Sequence, residues 1–586
     1  MGLTKDVVVD GKQVSHEDIC VGSQQHSDSV SENDQNIVPG ADFQAGVQNI
    51  EATTVAWTTT ALVVAYIFLW LTYFVEGMLS GTTLALTPYV TSAFALHSLT
   101  PTVGIISSVI GGVTNLTLAK ILDVFGRPQG YLFCIIVAAA GLIMMAACNN
   151  VEAYAAAQVF QTVGNNGIQY SIAVFVADTS SLRNRGLMQA IVSSPNLITC
   201  WLAGPIAKGF LKKNNGEGWR WAFGMFAILV PAITLPLYVL LLNNFLKAKR
   251  LGLVTKEESG RNALQSFIHY SREFDAIGLI LLSAGVALFL LPFNLYTLQA
   301  RGWTSPLVLS MLIIGFCLML AFVLWEKFFA PVTFIPYSLL LDRTVFGACI
   351  LSAVLFVSYF CWNSFFGSFL QVVYDLGVDQ ASYVVQTYTV CSVICAIAVG
   401  VLIHYTGRFK PACLYVGIPL SILGLGLMIH FRFPGENVGY VVMCQIFISV
   451  AAGVVIICDE IAILAAGSHQ HVAVCIAVLG LFSNIGGAVG ATVASAIWQN
   501  TLPHKLMEYL PAEELPNLPM IYGDLDTQLS YPVGSVTRLA IQRAYGDAQL
   551  RLLSTGTGVW VFGLIAVLMW RNINVINVKQ TKGHVW

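Results

Sequence analysis

Windows of about 20 mostly apolar residues recur from about residue 60 to the C-terminus, separated by short polar turns. That is the length an α-helix needs to cross the hydrocarbon core of a bilayer, where backbone N–H and C=O groups find no water and must pair within the segment. A chain patterned in this way folds as a polytopic helical bundle. Of its 586 residues 56% are hydrophobic and only 10% charged. Its mean hydropathy is +0.72, which excludes a water-solvated globule.

The apolar runs place helices at 61–88, 100–119, 130–148, 152–176, 187–207 and 220–242, then at 276–296 and 306–326, then at 346–371, 382–404, 412–431, 438–464, 473–497 and 553–571. This is an all-α membrane protein of fourteen expected transmembrane helices, grouped six, two and six. The expected organisation is a first six-helix bundle over 56–242, a charged cytoplasmic linker over 243–275, two additional helices over 276–327 and a second six-helix bundle over 328–571. That second bundle contains a long loop at 499–552, and a short tail at 572–586 closes the chain. Weak internal symmetry between such halves is common in transporters and implies two pseudo-symmetric bundles around a central cavity.

Residues 1–55 carry nine acids against Lys5 and Lys12, a net −7 that reads as a disordered acidic tail. It begins polar and lacks an apolar signal core, so the first span is expected to direct membrane insertion. The whole chain is −2, which leaves +5 for the remainder. That excess suits anionic lipid headgroups, and its basic residues are too scattered for a nucleic-acid groove. With the tail inside, nineteen of the 29 Lys and Arg residues fall on the tail side. The positive-inside bias therefore predicts cytoplasmic termini and an extracellular 499–552 loop.

Ionisable residues within apolar spans cost roughly 2.5–3.5 kcal/mol each on insertion scales and point to function. Glu76 follows Tyr73-Phe74-Val75 in the first span, far from either polar flank, where a carboxyl can bind and release a proton as water access alternates. Asp459 and Glu460 sit side by side in the twelfth span. Adjacent helical residues point about 100° apart, so one is expected to face the cavity and the other a neighbouring helix or gate. Structural hydrogen bonding is the alternative role for all three.

In the fourth span Gln158, Gln161, Asn165 and Gln169 share a helical face, with Asn166 beside them. Lipid does not tolerate such a stripe, so it is expected to line a cavity or a helix interface. In the ninth span Phe356, Tyr359, Phe360, Trp362, Asn363, Phe366, Phe369 and Gln371 combine aromatic bulk with amides, a pattern that serves either packing or a large polar cargo. Tyr73, Gln161, Asn165, Asn166, Gln169, Tyr359, Trp362, Asn363 and Phe366 are the substrate-binding candidates. The thirteen cysteines lack metal-ligand spacing, and His469 and His471 read as a solvated turn, so neither a metal site nor a cofactor is expected. The Asn115 sequon lies inside the second span, where it is expected to go unused. No nucleophile or metalloprotease constellation marks an enzyme.

Between the second and third spans the chain reads Ala119-Lys120-Ile121-Leu122-Asp123-Val124-Phe125-Gly126-Arg127-Pro128. This resembles the cytoplasmic Gly-x-x-x-Asp-Arg/Lys-x-Gly-Arg-Arg/Lys motif of the major facilitator superfamily, with Asp123, Gly126 and Arg127 matching. Ala119, Val124 and Pro128 depart from it, which thins the charge network and leaves Lys120 to compensate. Gly407-Arg408-Phe409-Lys410 is a degraded echo in the second half. Asp178 and Arg183 end the fourth span and begin the fifth, where they are expected to join the hairpin as a releasable latch or to serve as ordinary topology and capping signals. Gly204-Pro205-Ile206-Ala207-Lys208-Gly209 resembles the tail of a proton-antiporter motif. Cys200 and Ile191 replace its small residues, so it is read as a bend at Pro205.

The 499–552 segment carries Ile521-Tyr522-Gly523, Leu529-Ser530-Tyr531-Pro532-Val533-Gly534-Ser535, Arg538-Leu539-Ala540-Ile541 and Ala544-Tyr545-Gly546. It is similar to the final extracellular loop of fungal siderophore-iron transporters, a fourteen-span branch of that superfamily. The resemblance implies a major facilitator fold and proton-coupled import of ferric hydroxamate siderophores across the plasma membrane, by a monomer that carries iron as its chelate without ligating it. Tyr522, Tyr531 and Tyr545, with Arg538, are expected to screen or cover cargo. A proton antiporter for glutathione or drugs on the same fold, and a nutrient sensor that carries nothing, are the rival readings.

Overall fold

The computed structural model describes residues 57–93, 126–211, 218–250, 275–296, 301–330, 341–466 and 472–576, with a few positions in 107–122 and at 265, 272 and 299. The acidic tail 1–55, Lys120, Asp123, His469 and His471 lie outside the described residues. Among those described no strand forms. The first half holds α1 (Thr59–Ala93), α2 (Arg127–Ala147), α3 (Val151–Thr179), α4 (Leu182–Val192), α5 (Asn196–Leu211) and α6 (Trp219–Arg250). A helical pair follows, α7 (Ala276–Leu290) and α8 (Pro306–Phe328).

The second half holds α9 (Arg343–Asn363), α10 (Phe366–Tyr374), α11 (Val378–Thr406) and α12 (Lys410–Phe431, with a π turn at Cys413–Gly417). It continues through α13 (Val438–Ala466), α14 (Val472–Tyr509), the short α15 (Leu518–Gly523) and α16 (Leu525–Ser530), then α17 (Val536–Gly558) and α18 (Trp560–Met569).

Side chains start several of these helices. Asn150 accepts from the Ala153 N–H at 2.7 Å before α3, and Asp342 accepts from the Thr344 N–H at 2.8 Å before α9. At the start of α2, Gly126 adopts φ +95°, a conformation closed to most side chains, and so turns the hairpin into the helix. Within each half the helices pack closely, α2 on α3 and α6, α9 on α14, and α11 on α13. Small residues set the close crossings, that of α9 with α14 among them. Added Cβ atoms at Gly486 and Gly490 of α14 would lie 2.5 Å from the Ala353 carbonyl and 2.7 Å from the Val357 carbonyl of α9. The α7–α8 pair lies against the second half, with Val286 and Leu290 beside Ala488 and Ala491 of α14.

Eleven helical segments among the described residues are long and apolar enough to cross a membrane, rather than fourteen. α3 has 29 residues, but its amide stripe dilutes its apolarity. α7 has only 15 residues, and the 100–119 span lies largely outside the described residues. The expected bend at Pro205 is displaced. Pro205 lies within α5, and the helical run breaks instead at Ser193–Ser194–Pro195, between α4 and α5. The expected 346–371 span is likewise two helices, interrupted at Ser364–Phe365.

The 499–552 loop is shorter than apolarity implied. α14 continues to Tyr509 and α17 begins at Val536, so only 510–535 lies between them, and it contains two short helices. Polar residues inside α14 and α17 mask the helical extensions. A bulky side chain at the α9–α14 crossing should pry the two helices apart. Gly490→Leu is expected to destabilise the fold by about 1–3 kcal/mol, read as a lowered thermal midpoint of the detergent-solubilised protein.

Candidate functional site

The two halves meet at two levels. At the hairpin end α4 packs on α11 and α13: the Arg183 Nε donates to the His404 carbonyl at 2.8 Å, and His404 Nδ1 lies 2.5 Å from Asn184 Oδ1. A Cβ at Gly186 would meet Ile461 at 2.8 Å. At the loop end Lys208 of α5 pairs with Asp379 of α11 at 2.8 Å, and the Tyr89 hydroxyl of α1 donates to Gln371 Oε1 of α10 at 2.7 Å.

Between these contacts lies a cavity of about 420 Å³. Gln158, Gln161, Thr162 and Asn165 of α3, Thr83 and Thr87 of α1, Tyr359 and Asn363 of α9, Ser368 and Gln371 of α10, and Ser382 and Gln386 of α11 supply most of its polar lining. Among the described residues, none that lines it carries a charge. Amides and hydroxyls that both donate and accept, with aromatic faces between them, hold a polar ligand of little net charge.

Of the expected substrate-binding residues, Gln161, Asn165, Tyr359 and Asn363 line this cavity. The others do different work. Asn166 donates to Asn484 of α14 at 3.4 Å, joining the halves, and Gln169 is exposed away from the cavity. Trp362 is buried between Tyr359 and Tyr388. Because the helix breaks at Ser364–Phe365, Phe366 turns out of register and lies under the Arg432 guanidinium, 4.1 Å from its ring centre. Tyr73 receives a hydrogen bond from Gln189 at 3.4 Å. Ser382 and Gln386 were not recognised from the sequence. Their spacing, continued by Thr389, puts polar residues along one side of an apolar span and was the available signal.

Glu76 lies about one helical turn beyond the cavity-lining Leu79 and Ser80, 3% exposed, with both carboxylate oxygens lacking a hydrogen-bond partner among the described residues. The adjacent acids diverge as helix geometry requires. Asp459 points into the second half, toward the Ser352 hydroxyl, Cys349 and Cys413. Glu460 faces the first half, toward Arg185 and Tyr73. Arg185 is buried, donates to the Ala177 carbonyl at 2.8 Å, and stands between Glu460 and Asp178. Arg127 pairs with Asp178 at 3.5 Å, so that part of the expected hairpin latch is formed. Arg183 is not part of it and reaches across to the second half instead.

The loop residues are pillars of the fold more than a cargo surface. Arg538 is fully buried and donates to the carbonyls of Gln528 at 2.6 Å, Val372 at 3.0 Å and Gln371 at 3.2 Å. Tyr545, also buried, donates to Gln528 Oε1 at 2.6 Å. Their helical register in α17 turns both inward. Tyr522 is half-buried against the core, and Tyr531 donates to Glu514 at 2.9 Å. Hydrogen bonds from Asn517 and Tyr531 hold the Glu514 carboxyl below its ordinary range, whereas burial, then the neighbouring Asp524, holds Asp526 above it. Among the described residues no three His, Cys, Asp or Glu side chains form a metal-binding group.

Paired helical halves facing each other across a polar cavity define the secondary-transporter architecture. The family model of the Major Facilitator Superfamily matches residues 69–331. The fold is shared with a bacterial homologue of the human lysosomal transporter Spinster (TM-score 0.52, 13% identity, covering 88% of this chain and 98% of that one). Similarity to curated proteins is much closer. A siderochrome iron transporter of Ajellomyces capsulatus is 54% identical over 545 residues, 93% of this chain and 92% of the relative. The siderophore iron transporter mirB of Emericella nidulans is 44% identical over 550 residues, 94% and 90% of the two chains. The chain belongs to the fungal siderophore-iron transporter family of the major facilitator superfamily, a family of multi-pass membrane transporters and not of enzymes.

Removing the Arg538 guanidinium would take the side-chain donor from the Gln371 and Gln528 carbonyls, while that of Val372 keeps Gln542. Each orphaned acceptor costs roughly 1–3 kcal/mol, so Arg538→Ala is expected to lower the thermal midpoint and expose 510–535 to limited proteolysis.

Proposed function

We propose that the protein imports ferric siderophores of the hydroxamate type across the plasma membrane, coupled to inward proton movement and working by alternating access. The observation that carries this reading is the uncharged amide-and-hydroxyl lining of the cavity. A ferric tris-hydroxamate is large, polar and nearly neutral because its ligand cancels the iron charge, and it offers many oxygen acceptors to such a lining. Iron then travels as the chelate, and no protein atom need ligate it. A cavity of about 420 Å³ must widen to take this cargo, which fits halves that hold each other at both ends and separate at one end at a time.

Glu76 is the coupling residue in this reading. It sits just past the cavity lining, without a cationic partner among the described residues, where a proton delivered through the open side makes the group neutral before the halves move. Glu460 and Asp178 share Arg185 at the hairpin end, so the charge balance there changes when the halves part. The hairpin, both termini and α4 then face the cytoplasm, and the 510–535 loop faces outside. The working unit is a monomer, since cavity and coupling groups lie within one chain.

Glu76→Gln, which imitates the protonated carboxyl, tests the coupling. In yeast lacking siderophore uptake, supplied with ferric ferrichrome, coprogen and fusarinine chelates, the variant is expected to reach the surface normally. It should exchange chelate at equal pH while losing at least about tenfold of gradient-driven accumulation, a loss of the size that general acid–base groups contribute. Undiminished accumulation under an acid-outside gradient would sink the assignment.

A further inference from the structure

The strongest new feature lies in α10, where one side chain belongs both to the cavity and to the closure of its loop end. Gln371 lines the cavity and accepts from the Tyr89 hydroxyl of the opposite half at 2.7 Å. Its Nε2 makes only a long contact, 3.4 Å, to the Gly367 carbonyl one turn back. A primary amide has two N–H donors and an acceptor oxygen. While Oε1 holds Tyr89, the amide nitrogen therefore retains donor capacity beside the cavity.

The backbone beneath this side chain is held firmly. Arg538 donates to the Gln371 and Val372 carbonyls at 3.2 and 3.0 Å, and Gln542 donates to those of Val372 and Val373 at 3.3 and 3.1 Å. At the other end of α10, Arg432 donates to the Trp362 carbonyl at 2.7 Å, just before the helix break, and stacks on Phe366. α10 is thus anchored at both ends by buried guanidiniums, and the Gln371 side chain is aimed by a fixed backbone.

We infer that Gln371 is a cargo-contacting residue that couples occupancy of the cavity to closure of the loop end through Tyr89. An oxygen of the chelate accepts from the Gln371 amide, and polarisation of that amide strengthens the Tyr89-to-Gln371 bond between the halves. With the cavity empty Gln371 contributes the Tyr89 bond alone beside the Lys208–Asp379 pair, and with it filled there is a relay from cargo through Gln371 to α1. The two residues have separable duties: Gln371 binds and closes, while Tyr89 only closes.

This inference rests on the transport reading above, and kinetics in the same yeast tests it with whichever of the ferrichrome, coprogen and fusarinine chelates the wild type takes up fastest. Gln371→Met, near in size but without a donor, is expected to raise KM about fivefold and to lower kcat. Tyr89→Phe, which loses only the hydroxyl, is expected to lower kcat about fivefold with KM nearly unchanged, the scale of one hydrogen bond. The double variant should show the kcat of Gln371→Met alone. Surface amounts are measured for each, and Gln371→Asn, which keeps an amide on a shorter stem, should recover part of the affinity.

If the wild type accumulates none of the chelates, the transport reading fails and takes this inference with it. If the wild type transports while both single variants keep its KM and kcat, or both change KM alike, the coupling role of Gln371 falls and the transport reading stands.

Discussion

A helix that breaks inside a membrane protein frees backbone carbonyls where no bulk water can satisfy them, and those groups must be answered by the protein itself. The break at Ser364–Phe365 is answered by Arg432 on the Trp362 carbonyl, and the far end of α10 by Arg538 on those of Gln371 and Val372. Taking a guanidinium out of water is expensive unless its donors are used and its charge is accommodated. Arg538 spends its donors on backbone oxygens and lies 3.6 Å from the Asp375 carboxylate, whereas Arg432 is held by the Trp362 carbonyl and the faces of Phe366 and Phe369, its Nε and Nη2 finding no hydrogen-bond partner among the described residues. Because α10 is held in this way, Ser368 and Gln371 can face the cavity, and the 510–535 loop is tied to the same helix through Gln528.

That arrangement divides the loop's chemistry from the cargo's. Arg538 and Tyr545 carry polar groups that an unfolded loop would show to solvent, yet both are buried and committed to Gln528 and to α10. The loop is thereby a structural partner of the cavity wall, joined to it through hydrogen bonds to backbone carbonyls. A side chain that changes cargo selectivity can accordingly lie in α10 or α11 although the most distinctive sequence lies in the loop.

Most of the fold was legible because it follows from hydropathy alone. The apolar runs located nearly all the helices, and the amide spacing in α3 correctly set Gln161 and Asn165 on the cavity. What the sequence hid were departures from regular helix. Regular helical spacing through positions 364 and 365 would put Phe366 on the face of Tyr359 and Asn363, and the two-residue interruption there rotates everything after it. The bend was sought at Pro205, where the helix absorbs the proline, and not at Pro195, where two serines precede it. Arg538 and Tyr545 read as loop residues in sequence because α17 mixes polar with apolar positions, and only tertiary packing reveals that these side chains are buried. The cavity-lining Ser382 and Gln386 of α11 stay hidden for the converse reason: a few hydroxyls and one amide do not disturb an apolar window.

The pair Asp459–Glu460 shows how far local geometry reaches and where it stops. Helix geometry alone requires the two carboxyls to diverge by about 100°, and the structure sends one into each environment: Asp459 among Ser352 and buried thiols of its own half, Glu460 toward Arg185 and Tyr73 of the other. Only a group that faces across the interface changes its surroundings when the halves separate. In the proposed alternation Asp459 would keep Ser352 and the thiols of its own half, with the Glu460 carboxyl beside it, whereas Glu460 would lose Arg185 as its cationic neighbour. Glu76 of the first half is buried across the interface from Glu460 of the second, and Tyr73 neighbours both carboxyls, so the two acids face each other's halves through one side chain.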